Sequence, residues 1–240
     1  MHHQQLKSND KQADIQSDSS GTIVTYDLQS WQAEAAFKAQ EELRKNLIES
    51  QLEQLPQRYK SASFDNYEIL IDKQKIALNR ARKFADSLLN KQNVSGIFCG
   101  TPGTGKTHLS VAVFRNFVQA GKRARWMPIY KVIDEIRTAY KPWCTDTKSS
   151  IIDRLAKLDL LIIDDVGKTT AGEAEQTELF ELFNERYNAE KPTLITTNLN
   201  DAGICDYLGE TVHSRLLDNN GITIVCDWDD YRASTRTLSK

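Results

Sequence analysis

Gly100-Thr101-Pro102-Gly103-Thr104-Gly105-Lys106-Thr107 fits the pattern G-x-x-x-x-G-K-[ST] at every fixed position. The residues on both sides suit it. Val94-Ser95-Gly96-Ile97-Phe98-Cys99 is a short apolar run that reads as a buried strand. From His108 to Ala120, the apolar residues Leu109, Val111, Val113, Phe114 and Phe117 recur at helical spacing. Strand, glycine loop and helix form the context in which this motif holds a nucleoside triphosphate. The glycines let successive backbone N–H groups curl round the phosphates, and the start of the following helix favours an anion. On this pattern Gly100 through His108 contact the nucleotide, Lys106 reaches the β- and γ-phosphates, and the Thr107 hydroxyl holds Mg²⁺. The alternative, a glycine turn ahead of a purely structural helix, leaves the complete match to coincidence. The stretch is read as a nucleotide site.

Length and composition bound the rest. A chain of 240 residues can hold one α/β domain and an extension. A formal net charge of −2 gives no global attraction to nucleic acid, so any such contact must be local. Cys99, Cys144, Cys205 and Cys226 are scattered, with no C-x-x-C pair and no metal-ligand spacing; reduced thiols in the cytoplasm are the simplest expectation. No apolar run has the length of a membrane span, and the first residues lack the apolar core of a signal peptide.

Residues 1 to about 25 are rich in Gln, Asp, Ser and Lys, the composition of a disordered segment. From Asp27, a plausible N-cap, to about Gln54 the pattern is helical. This helix either lies solvated on the core domain or forms an arm that offers Leu28, Trp31, Phe37 and Leu47 to a partner. Leu55-Pro56-Gln57-Arg58 then breaks the pattern like a hinge, which favours the arm and places a boundary between residues 1–58 and 59–240. Further on, the spacing predicts helices over 73–89, 132–140, 151–155 and 175–188, and strands over 124–129, 160–163, 193–196 and 222–226. The alternation, with strands apolar enough to be buried on both faces, predicts a three-layer αβα domain around a parallel sheet.

More chemistry follows at the strand ends. Asp164 and Asp165 close the run Leu160-Leu161-Ile162-Ile163, and two acids there are costly unless they meet a cation or water. In a phosphate-loop protein Asp164 would organise Mg²⁺ and Asp165 would polarise the attacking water, one methylene shorter than the Glu many such ATPases use. Thr196-Thr197-Asn198 ends the next strand; Asn198 could orient that water, or the triplet could cap a turn. Arg215, in a predicted helix over 209–217, is either a solvated residue or a trans-acting finger in a neighbour's site. Arg232 could sense the γ-phosphate in cis.

Taken in order, GTPGTGKTHL, LLIIDDVG, TTN, SRL and DWDDYR resemble the DnaC/IstB-type AAA+ ATPases, and within them the replicative helicase loaders of bacteria and phages. The likeness spans roughly Ser63 to Arg232. It implies an ATP- and Mg²⁺-dependent ATPase without a C-terminal lid domain, which self-associates side by side, grips a hexameric replicative helicase through a helical N-terminal region, and binds single-stranded DNA. It also implies a DNA-contacting segment near 132–143, where Arg137, Tyr140, Lys141 and Trp143 have suitable chemistry; packing of Tyr140 and Trp143 in the core is the competing reading. Two rivals remain. One is a transposition helper of the IstB type acting on duplex DNA, and the other is an adaptor that holds ATP without hydrolysing it.

Overall fold

The computed structural model describes residues 14–17, 23–26, 28–168 and 172–231. Asp27 and Arg232 lie outside the described residues, as do their expected roles as N-cap and sensor. The chain divides into two compact units, Met1–Leu47 and Ile48–Lys240.

In the first unit, β1 (Asp14–Ser17) and β2 (Ile23–Tyr26) pair antiparallel, with Asp14 opposite Tyr26. These strands sit in the stretch whose overall polarity suggested disorder; the β-branched Ile23-Val24-Thr25 is the local signal that composition averaged away. Then α1 (Leu28–Glu53) begins, with Leu28 in its first turn. Trp31, Phe37, Leu43 and Leu47 are all exposed.

The unit boundary falls inside α1, eleven residues before the one read from the sequence (58 − 47). In the second unit the end of α1 belongs to the core. Gln51 Oε1 accepts the Ala124 N–H at 2.7 Å, and its Nε2 donates to the Lys122 carbonyl at 3.3 Å. Leu55 is buried with Ile48 and Leu52 packed beside it. The break at Leu55-Pro56 is therefore a packed turn, closed by the Tyr59 N–H on the Pro56 carbonyl at 2.8 Å, and not an exposed hinge.

The second unit continues with α2 (Asp72–Leu89), β3 (Gly96–Gly100), α3 (Lys106–Gln119), β4 (Ala124–Pro128), α4 (Ile129–Arg137), α5 (Lys148–Ala156), β5 (Leu160–Val166), α6 (Glu173–Asn188), β6 (Thr193–Thr197), α7 (Asp201–Leu208), α8 (Glu210–Leu217) and β7 (Ile222–Cys226). Helix α4 starts three residues earlier than expected, directly after Pro128. Proline has no N–H to lose, so it is tolerated where a helix begins. The strands form one parallel sheet in the order β4-β5-β6-β3-β7. Side chains alternate across it, as strand geometry requires. Phe98, Leu160, Ile162 and Leu194 join the core under α2 and α3, while Ile97, Leu161, Ile163 and Ile195 join the core under α4 to α8. This is the expected three-layer αβα architecture. Among the described residues, no helical element longer than a turn follows β7.

One buried cation ties the second layer together. Arg186 of α6, fully buried, donates to the carbonyls of Leu155 and Leu158 at 2.8 and 3.1 Å and to Thr193 Oγ1 at 2.8 Å. It thus caps the carbonyl end of α5, whose orphaned oxygens would otherwise cost about 1–3 kcal/mol each.

Candidate functional site

A cleft of about 890 Å³ opens beyond the carboxyl ends of the central strands. In an open α/β sheet this is the crevice where ligands bind, because the chain leaves β3 and β6 toward different sides. Residues Pro102 to His108, Asp165, Lys168 and Asn198 line one wall, and residues from Arg58 to Gln74 together with Tyr231 line the other.

The glycine loop is built as the motif requires. Gly103 (φ +79°) and Gly105 (φ +90°) adopt left-handed conformations that bare the backbone toward the cleft. A Cβ on Gly105 would meet the Tyr67 ring at 2.9 Å, and one on Gly103 would overlap the Asp230 carboxylate. Lys106 is buried, and its ammonium donates to the carbonyls of Gly100 and Thr101 at 2.8 and 2.7 Å. Burial lowers its pKa, opposed by Cys226 first and then by Asp164 and Asp165.

Behind the loop lies a buried acid. Asp164, 4% exposed, accepts from Thr107 Oγ1 at 3.1 Å and from Thr196 Oγ1. Burial first, and then the neighbouring Asp165, push its pKa up to about 6 against the two hydroxyl bonds. A buried carboxylate flanked by hydroxyls is an oxygen donor set for a hard cation. Among the described residues no cluster of three or more His, Cys, Asp or Glu side chains could hold a metal alone. That agrees with Mg²⁺ taking one or two carboxylates and completing its shell with substrate phosphates and water. The residues present fit a magnesium–nucleotide complex.

Asp165 is held in an unusual pose. Its φ is +59°, and the pairing of β5 with β6 slips between Ile163 and Val166, so a bulge turns its side chain toward the cleft. Such left-handed non-glycine residues concentrate at working sites. Its N–H donates to Thr196 Oγ1 at 3.2 Å, and its carboxylate meets the Lys168 ammonium at 3.3 Å. Asn198 is exposed and lines the same cleft.

The structure therefore brings together the glycine loop, Thr107, Asp164, Asp165 and Asn198. It keeps Arg215 apart. Arg215 lines a separate cavity of about 490 Å³, donates to Asn184 Oδ1 at 2.6 Å, and stacks over the rings of Tyr187 and Phe180. Tyr140 and Trp143, after α4, are 64% and 76% exposed, so neither packs in the core. Their neighbouring cations are paired: Arg137 with Glu178 at 3.0 Å, and Lys141 with Asp134 at 3.9 Å.

Two sets of residues escape the sequence reading. Thr196, part of the triplet from which only Asn198 was singled out, is the one that touches both acids. The second wall was missed altogether. Its signal was Ser63-Phe64-Asp65-Asn66-Tyr67, where Asn66 closes the turn by accepting the Ser63 N–H at 2.8 Å and Tyr67 donates to the Thr104 carbonyl at 3.3 Å.

Comparison with known proteins gives the family. The replicative helicase loader DnaC of Buchnera aphidicola subsp. Schizaphis graminum is 29% identical over 178 residues, 74% of this chain and 72% of the relative. DnaC of Escherichia coli K12 is 28% identical over 175 residues, covering 73% and 71%. A crystal structure of the DnaC helicase loader superposes with a TM-score of 0.62 at 25% identity, over 71% of this chain and 99% of that one. The model of the IstB-like ATP binding proteins matches residues 6–220, and with the glycine loop and its acids in place the chain belongs to that family.

Proposed function

We propose that this protein is an ATP-hydrolysing loader that binds a replicative DNA helicase and delivers it onto single-stranded DNA in the cytoplasm. The observation that carries the ATPase half is the network Thr107–Asp164–Thr196 behind the loop, with Asp165 and Asn198 turned into the same cleft. The loader half is supported by the similarity to the DnaC loaders.

The loop N–H groups and Lys106 bind the phosphates, with Lys106 exchanging its two carbonyl partners for phosphate oxygens. Thr107 and Asp164 would hold Mg²⁺, which would supply positive charge to offset that of the phosphates. Asp165 accepts hydrogen-bonded water and polarises it, and the uncharged Asn198 amide fixes its direction. Arg215 faces away from its own cleft and serves the site of an adjacent copy. Arg232 completes the catalytic set in cis. The exposed rings of Tyr140 and Trp143 stack on bases, with Arg137 and Lys141 beside them. Trp31, Phe37 and Leu47, with Leu28, contact the helicase from the segment 1–58.

The test is co-purification of a replicative hexameric helicase with the full chain and with a variant carrying Trp31→Ala and Phe37→Ala. The wild-type chain should retain the helicase and the variant should lose it. Equal capture would remove the arm from the account. The family's IstB-like members motivate a second reading, a transposition helper. Preference for duplex over single-stranded DNA, with no helicase retained, would select it.

A further inference from the structure

The second wall of the cleft contains a side-chain amide whose oxygen is committed to the backbone and whose nitrogen is left to face the cleft. Gln74 sits in the first turn of α2 and is 5% exposed. Its Oε1 accepts two backbone N–H groups, from Leu70 at 2.6 Å and from Ile71 at 3.1 Å. Only the carbonyl oxygen can accept, so these bonds fix which end of the amide is which. Nε2, with its two donor hydrogens, has no hydrogen-bond partner among the described residues, and Gln74 lines the cleft. Nε2 is not among the buried unpaired atoms, so its donor hydrogens open on the cleft and are free to meet a ligand or water there.

The position of Gln74 says which part of a ligand it faces. A triphosphate held by Lys106, with its far end at Asp165 and Asn198, projects its nucleoside toward the opposite wall. That wall is the segment 58–74, where Tyr67 reaches across to Thr104 and Tyr231 donates to Glu68 Oε2 at 2.6 Å. We propose that Gln74 reads the nucleobase: Nε2 donates a hydrogen bond to a ring nitrogen of adenine, while the two backbone N–H groups hold the amide in place. This rests on the nucleotide reading of the cleft and names a residue that sets its base preference. N1 accepts in adenine and carries a proton in guanine, so a bond to N1 separates the two purines, whereas N3 and N7 accept in both and a bond there reads only a purine.

Gln74→Glu isolates the donor. The carboxylate keeps an oxygen for the Leu70 and Ile71 N–H groups, and those bonds together with the start of α2 hold it ionised. The fold should therefore survive, with an unchanged melting temperature. Equilibrium binding is measured for wild type and Gln74→Glu with ATP, with inorganic tripolyphosphate, and with 1-deaza-, 3-deaza- and 7-deaza-ATP. We expect ATP to bind the variant about tenfold more weakly while tripolyphosphate changes less than twofold. One deaza analogue should bind wild type about tenfold more weakly than ATP and lose little further in the variant, because the acceptor is already gone. Equal losses for ATP and tripolyphosphate would show charge repulsion at the phosphates and overturn the proposal. So would three analogues that all bind wild type like ATP, a result that needs no variant. Wild type that binds tripolyphosphate but gains nothing from the base would overturn base reading alone. Wild type that binds neither ligand would bring down the nucleotide site itself.

Discussion

On the loop side of the cleft, the groups proposed for phosphate, metal and water come from strand ends or from the first turn of α3: Lys106, Thr107, Asp165 and Asn198, with Asp164 buried behind them. On the opposite wall most groups come from the segment 58–71 and the start of α2, joined by Tyr231, and are held by side chains that close turns on themselves, such as Asn66 and Gln74. The geometry of the first wall is fixed by the sheet, and on the proposed reading it meets the phosphates. The geometry of the second is set by local hydrogen bonds, and on the same reading it meets the neutral part of the nucleotide. Changes on the first wall should therefore abolish binding or turnover, while changes on the second should grade affinity and selectivity.

The largest effect should come from Lys106→Ala. Removing the one ammonium in the loop should weaken ATP binding about 100-fold, read by calorimetry on a variant shown to be folded. Unaltered affinity would break the distinction between the walls. Arg215→Ala comes next, because it probes a group on neither wall. ATP binding should persist while turnover falls roughly 10²-fold. Mixed with Lys106→Ala, which offers the arginine but has no working cradle, it should regain part of the activity. No recovery in demonstrably mixed assemblies would remove Arg215 from the site.

Smaller changes sharpen the picture. Tyr140→Ala or Trp143→Ala should weaken single-stranded DNA binding by about 1–3 kcal/mol per stacked base and leave ATP affinity alone, as fluorescence anisotropy would show. The weakest signal is a pair of opposite pH trends at Asp164. Its pKa in the folded chain, about 6, lies above the ordinary 3.8. The folded state thus binds this proton more tightly than the unfolded state. The resulting stability is present below about pH 4 and is lost as pH rises through about 6. Mg²⁺-dependent ATP affinity should instead fall as pH drops through about 6, because protonation removes the carboxylate charge. Asp164→Asn should flatten both curves, and a variant that keeps both trends would assign them elsewhere.

Legibility followed the same division. The glycine loop could be read because its conformation permits few residues: Gly103 and Gly105 stand at positive φ, and Lys106 and Thr107 have fixed tasks. The acids could be read because charge at the end of a fully apolar run needs a reason. The strand order, the bulge that turns Asp165, and the contact of Thr196 with both acids depend on how β5 and β6 align, and no single segment encodes that. Gln51, Gln74 and Arg186 read as ordinary polar residues of helices. Each is buried because its partners are main-chain groups, which leave no trace in side-chain patterning. The hinge at Leu55-Pro56 failed for a related reason: proline ends α1 as expected, but the apolar residues beside it are claimed by the core.

The central claim is that this cleft hydrolyses ATP with Asp165 activating the water. Phosphate release from saturating Mg·ATP, measured side by side for wild type and Asp165→Asn with single-stranded DNA present, tests it most directly. Both proteins should bind ATP alike, and the variant should release phosphate about 10²-fold more slowly. Equal rates in the two proteins, or no turnover by wild type, would contradict it.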